Sequence, residues 1–251
     1  MPGTDSAGTP WEGRAFHANP FGSDDGSAPP ALLEALTAFR DGSTRNDAVV
    51  DAFRHSRLLV PLIAQLGEAG RAESGHLVDK SQELSIVSVR APDGRVALPV
   101  FSSVAAMSHW NSSARPVPSD GARVAVAAAS EGTELVILDP TSTTEFVLRR
   151  PALSAIARSV PWVPSVEDPG VRAAFERAAA GEPDVAALEL VEGDPGARLT
   201  GPELVLVLGV RPGLAPDALS ALIERMRERW TAEGVVDERV DSLAVRIERM
   251  R

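Results

Sequence analysis

The segment Gly94–Ser103, GRVALPVFSS, decides the reading of this chain. It has the β-branched and aliphatic content of a strand, yet Pro99 interrupts it. Ahead of it, Ala91-Pro92-Asp93-Gly94 supplies the fixed φ, the local side-chain hydrogen bond and the positive φ that a tight turn needs. ELSIVSVR (83–90) and RVALPVF (95–101) on either side therefore read as a β-hairpin. A proline inside a strand deletes a ladder hydrogen bond and belongs at an edge, a strand end or a bulge. Pairing is expected to stop at Pro99, with Phe101-Ser102-Ser103 leaving the sheet for a helix N-terminus. Ser103 caps that helix, and Val104, Met107 and Trp110 turn inward.

Working towards the N-terminus, RLLVPLIAQ (57–65) is a continuous apolar run that reads as a buried strand, with Pro61 its own in-strand proline. Two helices precede it. Pro29-Pro30 opens the first, with Leu32, Leu33, Leu36 and Phe39 on one face and Gly42 at its end. Thr44 and Asp47 resemble a capping box for the second, which carries Val49, Val50 and Phe53. Residues 1–28 are rich in Gly, Pro, Ser and Asp and read as a flexible arm, with Trp11, Phe16 and Phe21 able to dock on the body or on a partner.

Towards the C-terminus, Ser119-Asp120 starts a helix through Val124 and Ala127. ELVILD (134–139) and EFVL (145–148) form a strand pair, and Pro151 begins a helix bearing Leu153 and Ile156. The proline-rich SVPWVPSVEDP (159–169) marks a boundary. Beyond it, Asp168 caps a helix whose stripe is Val171, Ala174, Phe175 and Ala178. VAALELV and ELVLVLG are strands around the turn-rich EGDPGARLTGP. Leu219, Leu222, Ile223, Met226 and Trp230 share a helix face, and LAVRIE is a last strand. The fold class expected is α+β: two small domains, each a mostly antiparallel sheet with helices on one side. The arm spans 1–28, the first domain 29–162 and the second 163–251.

Composition narrows the function. The 251 residues carry a net charge of −10 and no cysteine. Thiolate metal sites, iron–sulfur clusters and cysteine nucleophiles are excluded. No basic run suggests a nucleic-acid face, since phosphate neutralisation drives such binding. No apolar stretch approaches the ~20 residues that span a bilayer, and the first residues lack a secretion signal, so a cytoplasmic setting is expected. His17, His55, His76 and His109 do not pair at metal-ligand spacing. His76, Asp79 and Glu83 read as a weak metal site or as a solvated loop. Neither G-x-S-x-G nor a P-loop occurs, and EGDPGAR lacks the glycine spacing of a dinucleotide loop. No two carboxylates are expected to converge in an apolar pocket. Arg149-Arg150 could hold a phosphate or lie on a solvated surface; Arg198 likewise reads as a carboxylate grip or a surface residue.

DGRVALPVFSSVAAMSHW (93–110), followed by LVILDPTSTTEFVLRRPAL (135–153), resembles the SseB family, named for enhanced serine sensitivity. Leu98, Pro99, Val100, Phe101 and Ser103 match its Leu-Pro-Val-Phe-Thr-Ser signature, with Ser102 in place of Thr. Leu138, Pro140 and Phe146 match a later segment, in which Asp139 and Thr141 stand where Asn and Gly are usual. Residues 30–160 carry the resemblance, and the remainder looks like the accompanying C-terminal domain of an actinobacterial-type member. The family brings no established reaction; it implies a fold and a cytoplasmic bacterial setting.

Ser102 and Ser103, at a helix N-terminus walled by Phe101 and Trp110, read as a shallow site for an anion or peptide carboxylate, with Arg95 in the adjoining turn. The plainer reading is a tight strand-to-helix turn. The function expected is non-catalytic binding of a protein partner or small anionic metabolite, without cofactor or metal. An enzyme of serine or sulfur metabolism and an oligomeric scaffold are the alternatives.

Overall fold

The computed structural model describes Gly22, residues 24–65 and residues 83–250. Trp11, Phe16, Phe21, His76 and Asp79 lie outside these, as does most of the segment read as an arm. In chain order the first half comprises helix α1 (Pro30–Arg40), α2 (Asn46–Arg54), strands β1 (Arg57–Gln65), β2 (Glu83–Ile86), β3 (Val89–Arg90) and β4 (Val96–Val100), α3 (Val104–Trp110), β5 (Arg115–Asp120), α4 (Gly121–Ser130), β6 (Leu135–Leu138), β7 (Phe146–Arg149) and α5 (Arg150–Ala157). The second half comprises α6 (Pro169–Ala179), β8 (Val185–Glu192), β9 (Leu204–Val210), α7 (Pro216–Glu233), α8 (Val235–Arg239) and β10 (Leu243–Arg249). The fold is α+β.

Among the described residues three sheets form, ordered β2-β1-β5, β3-β4-β6-β7 and β10-β9-β8. Five strand pairings are antiparallel; β4–β6 and β9–β10 are parallel. The parallel pairs follow from helical crossovers, α7 and α8 in the second case, which bring the chain back to the same end of the sheet. The hairpin around Pro92-Asp93-Gly94 is present, with Gly94 at φ 89°. Its first arm is divided, however: β3 pairs with β4, whereas β2 pairs with β1 in another sheet. β5, with sequence RPVPSD, is a strand that two prolines conceal from sequence reading. It is an edge strand, and Pro118 faces Leu59, whose own hydrogen bonds point away from β5. Pro116 and Pro118 thus lack donors on the outer side, where they blunt an open edge.

Pro99 and Pro61 occupy one seam. Leu59 and Phe101 exchange both backbone hydrogen bonds (2.8 and 2.9 Å), an isolated bridge between the first two sheets. Continuing that antiparallel register sets Pro61 opposite Pro99, where the next doubly bonded pair would fall. Neither residue has an N–H, so the ladder ends after one bridge. β2 takes up pairing with β1 from Leu62 onward, and β3 pairs with β4 only through Ala97.

Alternation divides the four-stranded sheet into two apolar faces. Leu98, Val100, Val136, Leu138, Phe146 and Leu148 pack against α1, α2, α4 and α5. Ala97, Leu135, Ile137 and Val147 face the other way and are covered by Ala91 and by Leu199 from the loop between β8 and β9. A separate core joins α6, α7 and α8 to β9 and β8 around Phe175, Met226 and Trp230. Helix α2 begins at Asn46 with Arg45 at the cap position and no side-chain cap, so Thr44 does not cap it. Asp120 and Asp168 do cap α4 and α6, accepting from Arg123 N and from Gly170 N and Val171 N.

Leu199 is 6% exposed, although it belongs to a long loop. Leu199→Ala is expected to cost about 2–4 kcal/mol in urea unfolding; a variant as stable as the wild type would show that the loop does not seal that sheet face.

Candidate functional site

The strand-to-helix turn after Pro99 is held from inside. Phe101 is fully buried with Leu59 and Met107, and its ring lies 5.3 Å from that of the half-buried Trp110. Ser103 caps α3 by accepting from Ala106 N at 3.1 Å. Ser102 is 5% exposed, and both of its donors reach one carboxylate: N to Asp139 Oδ1 and Oγ to Asp139 Oδ2, each at 2.7 Å. Thr144 Oγ1 also donates to Asp139 Oδ2, at 3.0 Å. Asp139 is 1% exposed. Burial is the largest influence on its carboxyl and raises its pKa above 3.8; the hydrogen bonds from Ser102 and Thr144 oppose that without overcoming it. The position that the sequence offered to an external anion is therefore held by the chain's own Asp139.

The approach from outside is also covered. Val104 N donates to Gly26 O at 2.9 Å. Arg57 pairs with Asp24 at 2.8 Å and donates to Ser102 O at 2.9 Å and to Ser27 O. Residues 24–27 thus lie against the N-terminus of α3. The structure brings Phe101, Ser102, Ser103 and Trp110 together but sends Arg95 elsewhere.

Arg95 belongs to the junction between the two halves. Its Nη1 and Nη2 donate to Asp241 at 2.8 and 2.9 Å, and its Nε to Asp93 at 2.8 Å. Arg149, only 8% exposed, donates to Asp241 Oδ2 (3.0 Å), Asp194 Oδ2 (2.7 Å), Ser242 Oγ (3.0 Å) and Gly201 O (2.9 Å). Burial, the largest single influence, pushes Asp194 and Asp241 towards higher pKa, but both end below 3.8: the Arg149 bond together with those from Thr200, Leu199 N and Arg198 N outweighs burial at Asp194, and the bonds and charges of Arg95 and Arg149 outweigh it at Asp241. Asp194 also accepts from Leu199 N and from both N and Oγ1 of Thr200, which shapes the loop that covers the sheet. Arg150 donates to the carbonyls of Asp237, Glu238 and Val240. The Arg149-Arg150 pair is therefore neither a phosphate grip nor a solvated surface; both guanidiniums tie the halves together. Arg198 is half-buried, and its guanidinium makes one long contact to Thr143 O at 3.4 Å.

Carboxylates do converge here, contrary to the sequence expectation. Glu192, Asp194 and Glu203 line a narrow cavity of about 30 Å³ with Arg149, Asn46 and Trp162. That is room for about one or two water molecules, far below the ~300 Å³ at which small-molecule pockets begin. Sequence reading missed it because Glu192, Asp194 and Glu203 share no motif and the groups that enclose them, Asn46, Arg149 and Trp162, come from 30 or more residues away in the chain. Among the described residues no group of three or more His, Cys, Asp or Glu is arranged to hold a metal ion.

Two open concavities lie along the segment joining the halves, and a third, of about 340 Å³, lies between α7, α8 and β10. One, of about 520 Å³, runs between the start of α2 (Arg45, Asp47, Asp51) and Pro161-Trp162. Another, of about 260 Å³, runs on the far side of Trp162, between α5 and α8, with Arg158, Val160, Val163 and Arg239 in its walls. Val160 and Val163 are 43% and 48% exposed. A tryptophan between prolines was the available sequence signal.

Residues 32–155 match the family model described as the SseB protein N-terminal domain. No curated protein and no solved structure matches the chain. No described helix is long and apolar enough to cross a membrane. The family pattern explains one feature of the Asp139 loop. Asp139 and Thr141 both have positive φ (47° and 67°), and the Asn and Gly usual there suit that backbone region.

Asp139→Ala, which strands the Ser102 donors, is expected to lose about 2 kcal/mol or more, whereas Asp139→Asn keeps an acceptor and stays within about 1 kcal/mol. Because the folded carboxyl titrates above 3.8, its contribution weakens as pH rises from there through the folded pKa. Asp139→Asn flattens that slope in a pH series of thermal melts, and an unchanged slope would remove Asp139 as its source. Thr141→Gly relieves a β-branched residue in the left-handed region and is expected to gain about 0.5–1 kcal/mol after the added freedom of the unfolded chain, read from the urea midpoint.

Proposed function

We propose that this chain, which belongs to the SseB family through residues 32–155, works by non-catalytic binding. Residues 29–162 and 163–251 act as two domains, and an extended segment of a partner protein lies along the connection between them. The observation that carries this reading is the exposed apolar ridge Val160–Val163, flanked on both sides by open grooves that share Pro161 and Trp162. Contiguous exposed apolar surface beside a concavity marks interaction sites on soluble proteins. A peptide supplies what this surface lacks: apolar side chains for the valines and backbone groups for the polar rims.

Two further facts favour binding over catalysis. The buried titratable groups described above are committed to holding loops, and the cavity they line has no space for a substrate. The Ser102–Ser103 turn, closed by Asp139 and Gly26, serves the same reading as a rigid support, with half-buried Trp110 as its outward part. The setting that suits this role is the bacterial cytoplasm.

A display screen of random extended peptides against the wild-type chain tests the reading. Selected peptides are expected to bind at least tenfold more weakly to the Val160→Asp, Val163→Asp double variant. Both positions are nearly half exposed, so thermal stability should hold. A screen that returns no binder, or peptides that bind the double variant equally well, would overturn it.

A further inference from the structure

Among the described residues of the junction, Glu203 is an acidic side chain that no arginine hydrogen-bonds; Arg149 acts on it only as a nearby charge. Glu203 Oε2 accepts from Asp241 N at 2.5 Å, and its Oε1 is shut off from solvent with no hydrogen-bond partner. Around it stand Arg149 from β7, Asp194 from the β8–β9 loop, Asp241 and Ser242 from the segment before β10, Ser165 from the connection and Glu192 from the end of β8. The two arginines are already used. Arg149 is divided between Asp194 and Asp241, and Arg95 between Asp241 and the rim residue Asp93. A further negative charge at Glu203 would have no cation of its own and would sit beside Asp241.

We propose that Glu203 is held as a neutral carboxylic acid while the two halves are joined, and that its ionisation as pH rises is what loosens their contact: a pH-set latch. Leaving one neutral oxygen unpartnered costs far less than burying an unpaired carboxylate. Desolvation, the largest influence on this group, raises its pKa above 4.5; the neighbouring Asp241 adds to that, and Arg149 and the hydrogen bonds oppose it without prevailing. The sign follows. Between the unfolded value and the raised folded value the native chain binds more protons than the unfolded one, so stability falls as pH rises. Asp194 and Asp241 act in the opposite sense and at lower pH, losing their contribution as pH falls below 3.8. The joined state is therefore most secure in a band between these limits. Ionised Glu203 would also press on the cavity that it lines with Trp162, which carries the effect to the connecting segment.

The test compares the full chain with Glu203→Gln, which keeps the shape and removes the titration. Thermal midpoints are expected to coincide below about pH 4.5 and to separate above it, with the variant higher by about 3 °C or more at neutral pH. At the same neutral pH, amide exchange at Leu199, Thr200 and Ser242 should be slower in the variant. Asp139 and Glu192 titrate equally in both proteins, so the difference isolates Glu203. A carboxyl ¹³C titration of the wild type provides a check that needs no variant. An ordinary Glu203 titration near 4.5, or a difference in midpoint that is constant across pH, would overturn the latch.

Discussion

Two absent amide hydrogens, at Pro61 and Pro99, govern how the first half is built. The register of the Leu59–Phe101 bridge, carried one step further, would set them opposite each other, where the next doubly bonded pair would otherwise form. β1 and β4 therefore touch once and part. Because they part, β1 is free to carry β2 and β5, while β4 carries β3 and β6. Contrary to the expectation that pairing stops at Pro99, the chain stays paired with β6 through Val100 and with Leu59 at Phe101, because Pro99 lacks a donor only on the side facing β1; it leaves the sheet at Ser102, and Ser103 starts α3. A continuous ladder would have merged two sheets and extended the strand through the turn.

Releasing a chain from a sheet exposes donors, and this protein answers with buried aspartates. Asp139 takes the N–H and hydroxyl of Ser102, and Asp194 takes those of Thr200 together with Leu199 N. The device is the same in both loops: one carboxylate satisfies several donors that helix or sheet pairing leaves over. The surroundings differ. Asp139 has no cation near enough to offset its burial, whereas Asp194 has Arg149. One carboxyl is consequently raised and the other lowered. Around Arg149 the same logic joins the halves, since removing one partner from such a buried set leaves an uncompensated charge, at about 3–5 kcal/mol.

Asp139, Asp194 and Asp241 are thus engaged in holding loops and the junction. On the connecting segment Val160 and Val163 face outward beside open grooves, and Glu203, which shares a cavity with Trp162, has no arginine hydrogen-bonded to it.

Local patterns determined the helices, the hairpin at Pro92-Asp93-Gly94, the Asp120 and Asp168 caps, the paired strands and the α+β class, because spacing, capping and turn chemistry act within a few residues. The split between β2 and β3 was not legible, since both read as one apolar run and only the partner strand distinguishes them. β5 was hidden because prolines that suit an outer edge look like loop residues until the edge is known. Phe101 and Ser103 were placed correctly beside each other, but what fills the turn is Asp139, 37 residues from Ser102. Arg95, Arg149, Asp194, Asp241 and Glu203 carry no mutual signal in the chain. Their pairing, and with it their protonation, was decided only when the β8–β9 loop and the segment before β10 closed over the second face of the sheet, because charge interactions depend on distance and burial and not on spacing along the chain.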